Sequence, residues 1–151
     1  DFNLLNNLSL KDNIFLPLVL SGVDYKEMEK RIRPIAQKLG IIELLEKYPY
    51  EVSGGQKQRL SIARAIAKDP EIFIFDDSSS ALDFKTDSTL RKALKEHTKE
   101  ATTIIVAQRI STILNADKII VLDDGHMAGI GSHKELMENC EVYRQIAMRQ
   151  L

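Results

Sequence analysis

Apolar positions at Met28, Ile32, Ile35, Ala36 and Leu39 recur with a 3.6-residue period, which predicts an amphipathic helix opening after Asp24 and closing at Gly40. Asp24 with Glu27 three residues on has the form of a capping box, and Pro34 inside the run predicts a kink or a split. Before this helix, Asp1 to Asp12 is rich in Asn and Leu and reads as a loop leading to a short helix. After it, Ile41 to Lys47 reads as a second short helix, and Tyr48-Pro49-Tyr50 as a loop whose tyrosines pack rather than bind. Gln56 to Lys68 has Leu60, Ile62, Ala63, Ile66 and Ala67 as its apolar set and is stopped by Lys68-Asp69-Pro70.

The period then changes. Glu71 to Phe75 is a short β-branched and aromatic run of the kind found in buried parallel strands, and it ends in Asp76 and Asp77. A helix is predicted from about Asp83 to His97, a strand from Thr102 to Ala107, a short helix from Ile110 to Leu114, and a strand from Lys118 to Leu122. Asp124-Gly125 is a hairpin signal, so His126 to Ile130 is expected to return antiparallel. Ser132 with Glu135 opens a final helical region that runs with one break to Leu151. Strands alternating with helices make an α/β domain with a mainly parallel sheet. The division this suggests is a helical lobe over residues 1–52 and a core over 53–151.

Composition narrows the function more than the fold. The 151 residues carry 21 Lys+Arg against 22 Asp+Glu, a balance that gives no push toward nucleic acid. One thiol, Cys140, cannot form an internal disulfide, and no apolar run approaches the roughly 18 residues of a membrane span. Asp1-Phe2-Asn3-Leu4 has neither the basic region nor the apolar stretch of a signal peptide, so a soluble, cytosolic-type chain is expected. His97, His126 and His133 share no metal-ligand spacing with Cys140.

The chemistry concentrates at Val52-Ser53-Gly54-Gly55-Gln56. A hydroxyl and two glycines at a helix N-terminus leave backbone N–H groups open at the positive end of the helix dipole, which suits phosphate. A plain N-cap with glycine turn residues would read the same way. The flanking residues decide the matter: VSGGQKQRLSIARAIAKDP followed by IFIFDD resembles the signature motif and Walker B strand of an ATP-binding cassette (ABC) ATPase, and Ser80-Ala81-Leu82-Asp83 resembles that family's D-loop. The opening DFNLLNNLSLKDNI resembles the stretch just after the family's Q-loop.

The resemblance implies an ABC-type P-loop NTPase fold, present in part, with ATP and Mg²⁺ as cofactors. It implies that Ser53, Gly54, Gly55 and Gln56 contact nucleotide held by a second, facing cassette. Asp76 would hold Mg²⁺ through water, and Ser80, Ala81, Leu82 and Asp83 would lie across the dimer interface. Two positions depart from the family pattern. Asp77 stands where a glutamate general base is usual, withdrawing the carboxylate by roughly 1–1.5 Å. Gln108 stands where a histidine follows the next strand, and an amide bonds a phosphate oxygen but carries neither its charge nor its proton. Together they resemble the degenerate site of one partner in heterodimeric exporters.

No G-x-x-x-x-G-K-[ST] occurs, so the P-loop half is expected to lie upstream of Asp1, and the chain is expected to bind ATP weakly or not at all alone. YPYEVSGGQKQRLSIARAIAKDP resembles lipoprotein and macrolide exporter cassettes, whereas FDDSSSALDFKTDSTLRKALK and the stretch from Ile104 onward resemble cassettes fused to membrane domains, a join open to a natural origin or to an engineered chimera. The implied partners are the N-terminal cassette half, a second nucleotide-binding domain and a transmembrane subunit, with location at the cytoplasmic face of the membrane. The rival expectation is a non-hydrolysing regulatory or dimerisation module. A soluble ATPase of DNA repair or translation gains little support from the near-neutral charge.

Overall fold

The computed structural model describes residues 2–76, 95–96 and 99–150. It divides into two compact units, residues 1–104 and 105–151.

In the first unit, helices α1 (Leu10–Leu20), α2 (Tyr25–Lys38) and α3 (Gly54–Ala67) enclose one core with strand β1 (Ile72–Asp76). Leu10, Ile14 and Leu18 of α1 meet Met28, Ile32 and Ile35 of α2 and Leu60, Ala63 and Ile66 of α3, all buried. Every apolar position expected on the second and third helices is therefore inside. Asp24 caps α2 by accepting from the Lys26 N–H at 3.0 Å, but Glu27 does not close a capping box and bonds Arg31 instead, at 2.9 Å.

One local expectation is corrected and two are narrowed. Helix α2 runs unbroken through Pro34, because the proline lies on the exposed face and the Lys30 residue four back is exposed too, where water can take the freed carbonyl. Ile41 to Lys47 forms only a 3₁₀ turn, Ile42–Leu44. Its following carbonyls are used elsewhere: Leu45 and Lys47 accept the N–H groups of Lys11 and Leu10 at 2.8 Å each, supplying acceptors that the first turn of α1 lacks. Finally, β1 is packed on one face only. Phe73 and Phe75 are buried with stacked rings 5.7 Å apart, while Ile72 and Ile74 are 58% and 68% exposed. Among the described residues, then, one face of the strand is covered.

Strand β2 (Thr102–Val106) lies beside β1, and the Thr102 N–H donates to the Glu71 carbonyl at 2.9 Å. The boundary between the units falls within β2, after Ile104. Of the helix expected over Asp83 to His97, only Lys95 and Glu96 are described, both helical; the rest lies outside the described residues.

The second unit holds helix α4 (Ile110–Ile113), the hairpin β3 (Ile119–Asp123) and β4 (His126–Gly131), and helices α5 (His133–Asn139) and α6 (Glu141–Met148). The hairpin is antiparallel, from Ile119 opposite Gly131 to Asp123 opposite His126, with an irregularity between Val121 and Leu122. Asp124 and Gly125 both have positive φ, 45° and 77°, as a tight two-residue turn requires. Ser132 and Glu135 make the expected capping box: the Ser132 N–H donates to the Glu135 carboxylate at 2.7 Å, which holds that carboxyl below its ordinary pKa. Val121, Leu136, Cys140, Tyr143 and Ala147 form the core, and Tyr143 is tied to His133 Nδ1 at 2.8 Å.

Candidate functional site

Val52 and Ser53 are extended, and α3 begins at Gly54. Ser53 is its N-cap: Ser53 Oγ accepts the Gln56 N–H at 3.3 Å, and the Gln56 side-chain oxygen accepts the Ser53 N–H at 2.9 Å. This reciprocal box satisfies two of the donors that any helix start leaves over. The N–H groups of Gly54 and Gly55, in the first turn, have no intrahelical acceptor to reach. Two of the four expected signature residues, Ser53 and Gln56, thus hold the turn rigid, while the other two present its open donors.

Neither the backbone conformation nor the packing requires glycine at positions 54 and 55. Neither has a positive φ, and a Cβ added to either would meet nothing within 4 Å. The space in front of the helix start is therefore open. The first-turn donors and the helix dipole together suit an anion with several oxygens.

Asp76 is exposed at the C-terminal end of β1. A carboxylate at a strand end is of the type that holds Mg²⁺, an ion commonly bound by one or two carboxylates together with substrate phosphates. Among the described residues no cluster of three or more His, Cys, Asp or Glu side chains is placed to hold a metal. Gln108 is exposed in the second unit, in the segment between β2 and α4. That segment is pinned by Gln150, whose amide donates to the Gln108 carbonyl at 2.9 Å and whose oxygen accepts the Ile110 N–H at 2.8 Å. Asp77, Ser80, Ala81, Leu82 and Asp83 lie outside the described residues.

Tyr48 and Tyr50, expected to pack, stack on each other with ring centres 5.6 Å apart, and Tyr50 is 71% exposed. Sequence reasoning missed three polar residues of the first unit that are buried or half-buried. Gln58 is buried in α3 with its side-chain oxygen unpartnered, Asn13 is buried in α1, and Arg64 of α3 reaches the carbonyls of Phe2 and Asn3. A polar residue on the core face of an apolar period was the available signal for the first two.

Residues 1–80 match the family model described as ABC transporter. An uncharacterized ABC transporter ATP-binding protein of Mycobacterium tuberculosis is 46% identical over 98 residues, 65% of this chain and 17% of its own length. An ATP-dependent lipid A-core flippase of Francisella tularensis is 46% identical over 96 residues, 64% of this chain and 16% of its own. ATP-binding cassette sub-family B member 5 of Mus musculus is 40% identical over 136 residues, 85% of this chain and 11% of its own. The chain thus spans less than a fifth of the length of these relatives. Among solved structures, a bacterial Atm1-family ABC exporter with ATP bound superposes with a TM-score of 0.82 at 30% identity, over 97% of this chain and 26% of that one. With its family match over residues 1–80 and an exporter fold along nearly its whole length, the chain belongs to the ABC transporter family.

Proposed function

We propose that this chain is the signature-bearing part of an ATP-binding cassette that completes a nucleotide site in a facing cassette, so that ATP hydrolysis there powers transmembrane transport. The observation that carries the proposal is the helix start at Gly54, with free N–H donors, a locked Ser53–Gln56 box and no internal use for its glycines. Ser53, Gly54, Gly55 and Gln56 take the terminal phosphate of ATP gripped by the partner's P-loop, and the backbone donors stabilise charge as it develops on that phosphate. Asp76 holds Mg²⁺ through water, Asp77 is a shortened base for the chain's own site, and Gln108 is an uncharged sensor of the terminal phosphate. Ser80 to Asp83 face the partner cassette. A P-loop segment, a second nucleotide-binding domain and a transmembrane subunit at the cytoplasmic face of the membrane complete the assembly.

Asp77 and Gln108 favour one second reading, a cassette whose own site binds but does not turn over while its signature serves the other site. A titration of fluorescent ATP with Mg²⁺ tests the main proposal, on the chain alone and then mixed with a complete cassette whose signature serine is replaced. The expected result is no micromolar binding alone and rescued binding or turnover in the mixture. Micromolar binding by the chain alone would refute it, as would silence in a mixture shown to associate.

A further inference from the structure

The segment before α1 has no regular structure, yet its main chain is held at several points by side chains. Asn13 of α1 accepts the Leu5 N–H at 2.8 Å and donates to the carbonyls of Leu5, Leu8 and Ser9. Further back, Arg64 of α3 donates from Nη1 to the Asn3 carbonyl at 2.9 Å and from Nη2 to the Phe2 carbonyl at 3.1 Å. Asn3 has φ of 50°, a left-handed conformation that asparagine adopts more readily than most residues with a side chain. Arg64 is half-buried, and burial alone pulls its guanidinium below its ordinary pKa. A planar fork set on two successive carbonyls fixes direction as well as distance, which a lysine, with one point of charge, cannot do.

Arg64 lies ten residues beyond Gly54 on one unbroken 14-residue helix, about 15 Å along its axis. Because helix formation is cooperative, loosening at one end of a single hydrogen-bonded ladder is felt at the other. We propose that Arg64 is a positioning residue: through its fork on Phe2 and Asn3 it couples the leading segment to α3 and so sets where the Ser53–Gln56 turn stands, a role that rests on the function proposed above. Whatever displaces Phe2 and Asn3 then displaces the phosphate-facing turn with them.

Two variants of the chain, Arg64→Met and Arg64→Lys, are followed by chymotryptic cleavage and by amide hydrogen exchange. Arg64→Met is expected to speed cleavage within residues 2–5 by about tenfold or more, since a tethered segment is released to open locally. It should also speed exchange at the Gln56 and Lys57 amides while exchange at Ile32 to Ala36 of α2 stays unchanged; Arg64→Lys should restore part of both. Equal speeding in α2, or a freed segment with Gln56 and Lys57 unmoved, overturns the coupling. A second arm mixes each variant with the complete cassette lacking its own signature serine. The expected result is a lower kcat with an unchanged KM for ATP, and an unchanged kcat overturns the role. If the native chain itself supports no turnover in that mixture, it is the proposed function that fails, and the exchange data alone decide the coupling.

Discussion

Replacing Asn13 by alanine removes one side chain and leaves several main-chain groups to fend for themselves. Asn13 is 1% exposed and makes four hydrogen bonds through its amide, at 2.8 to 3.2 Å. Not all of them are lost on truncation. The Ser9 carbonyl keeps the Asn13 main-chain N–H at 3.0 Å, and the Leu5 carbonyl keeps the Leu8 N–H at 3.2 Å. The Leu5 N–H and the Leu8 carbonyl are the two groups that lose their partner. Each unsatisfied group costs about 1–3 kcal/mol when water is excluded, and partial access softens this, so Asn13→Ala should destabilise by about 2–4 kcal/mol. Asn13→Asp keeps the acceptor, loses both N–H donors and brings a carboxylate against three carbonyls. Its folded-state pKa is therefore raised, its penalty is smallest at low pH, and the penalty grows as pH rises through the ordinary carboxylate value. Urea unfolding followed by far-UV circular dichroism, each variant against the parent at each pH, reads both effects. A cost below about 1 kcal/mol for Asn13→Ala, or a pH-independent gap for Asn13→Asp, would refute the reasoning.

At Gly129 a Cβ would stand 2.9 Å from Cys140 Sγ and 3.0 Å from Leu136 Cδ2, so Gly129→Ala should cost about 1–3 kcal/mol and Cys140→Ala in the same chain should return part of it. A double-mutant cycle with zero coupling would contradict this. Lys11 bonds Glu29 and Tyr25 and lies 5.6 Å from the Phe15 ring centre. The Glu29 bond holds Lys11 above its ordinary pKa, and the Lys11 bond holds Glu29 below its own. The depressed Glu29 contributes stability above its unfolded value that fades as pH falls, and the raised Lys11 contributes stability below its unfolded value that fades as pH rises. Glu29→Gln should therefore cost about 0.5–1 kcal/mol between those two values and less outside them, in urea titrations across pH. Ser53→Ala removes the cap of α3, worth about 1 kcal/mol, and should also abolish rescue of a partner cassette; loss of stability with full rescue would detach the cap from the phosphate role.

The helices were legible where one face is apolar. Leu60, Ile62, Ala63, Ile66 and Ala67 announce α3 by period alone, and Ser132 announces its helix start by the spacing to Glu135. What local pattern could not carry was the destination of main-chain hydrogen bonds. The sequence around Ile41 to Lys47 suits a helix, but the carbonyls of Leu45 and Lys47 go to the start of α1, a demand set by tertiary packing. Pro34 reads as a breaker until its exposed face is known. Likewise the apolar content of β1 says that the strand is packed, not on how many faces. For the site, residue types and spacing identified the Ser53–Gln56 turn, but the emptiness in front of Gly54 and Gly55 and the fork of Arg64 on Phe2 and Asn3 exist only in three dimensions.

The central claim is that the start of α3 receives phosphate presented by a partner. The most direct measurement follows the amide resonances of a ¹⁵N-labelled chain as a complete cassette loaded with Mg²⁺ and ATP is added. The account predicts shifts at Ser53, Gly54, Gly55 and Gln56 that require both the partner and the nucleotide. Binding that shifts other surfaces and leaves the Gly54 and Gly55 amides unmoved would contradict it.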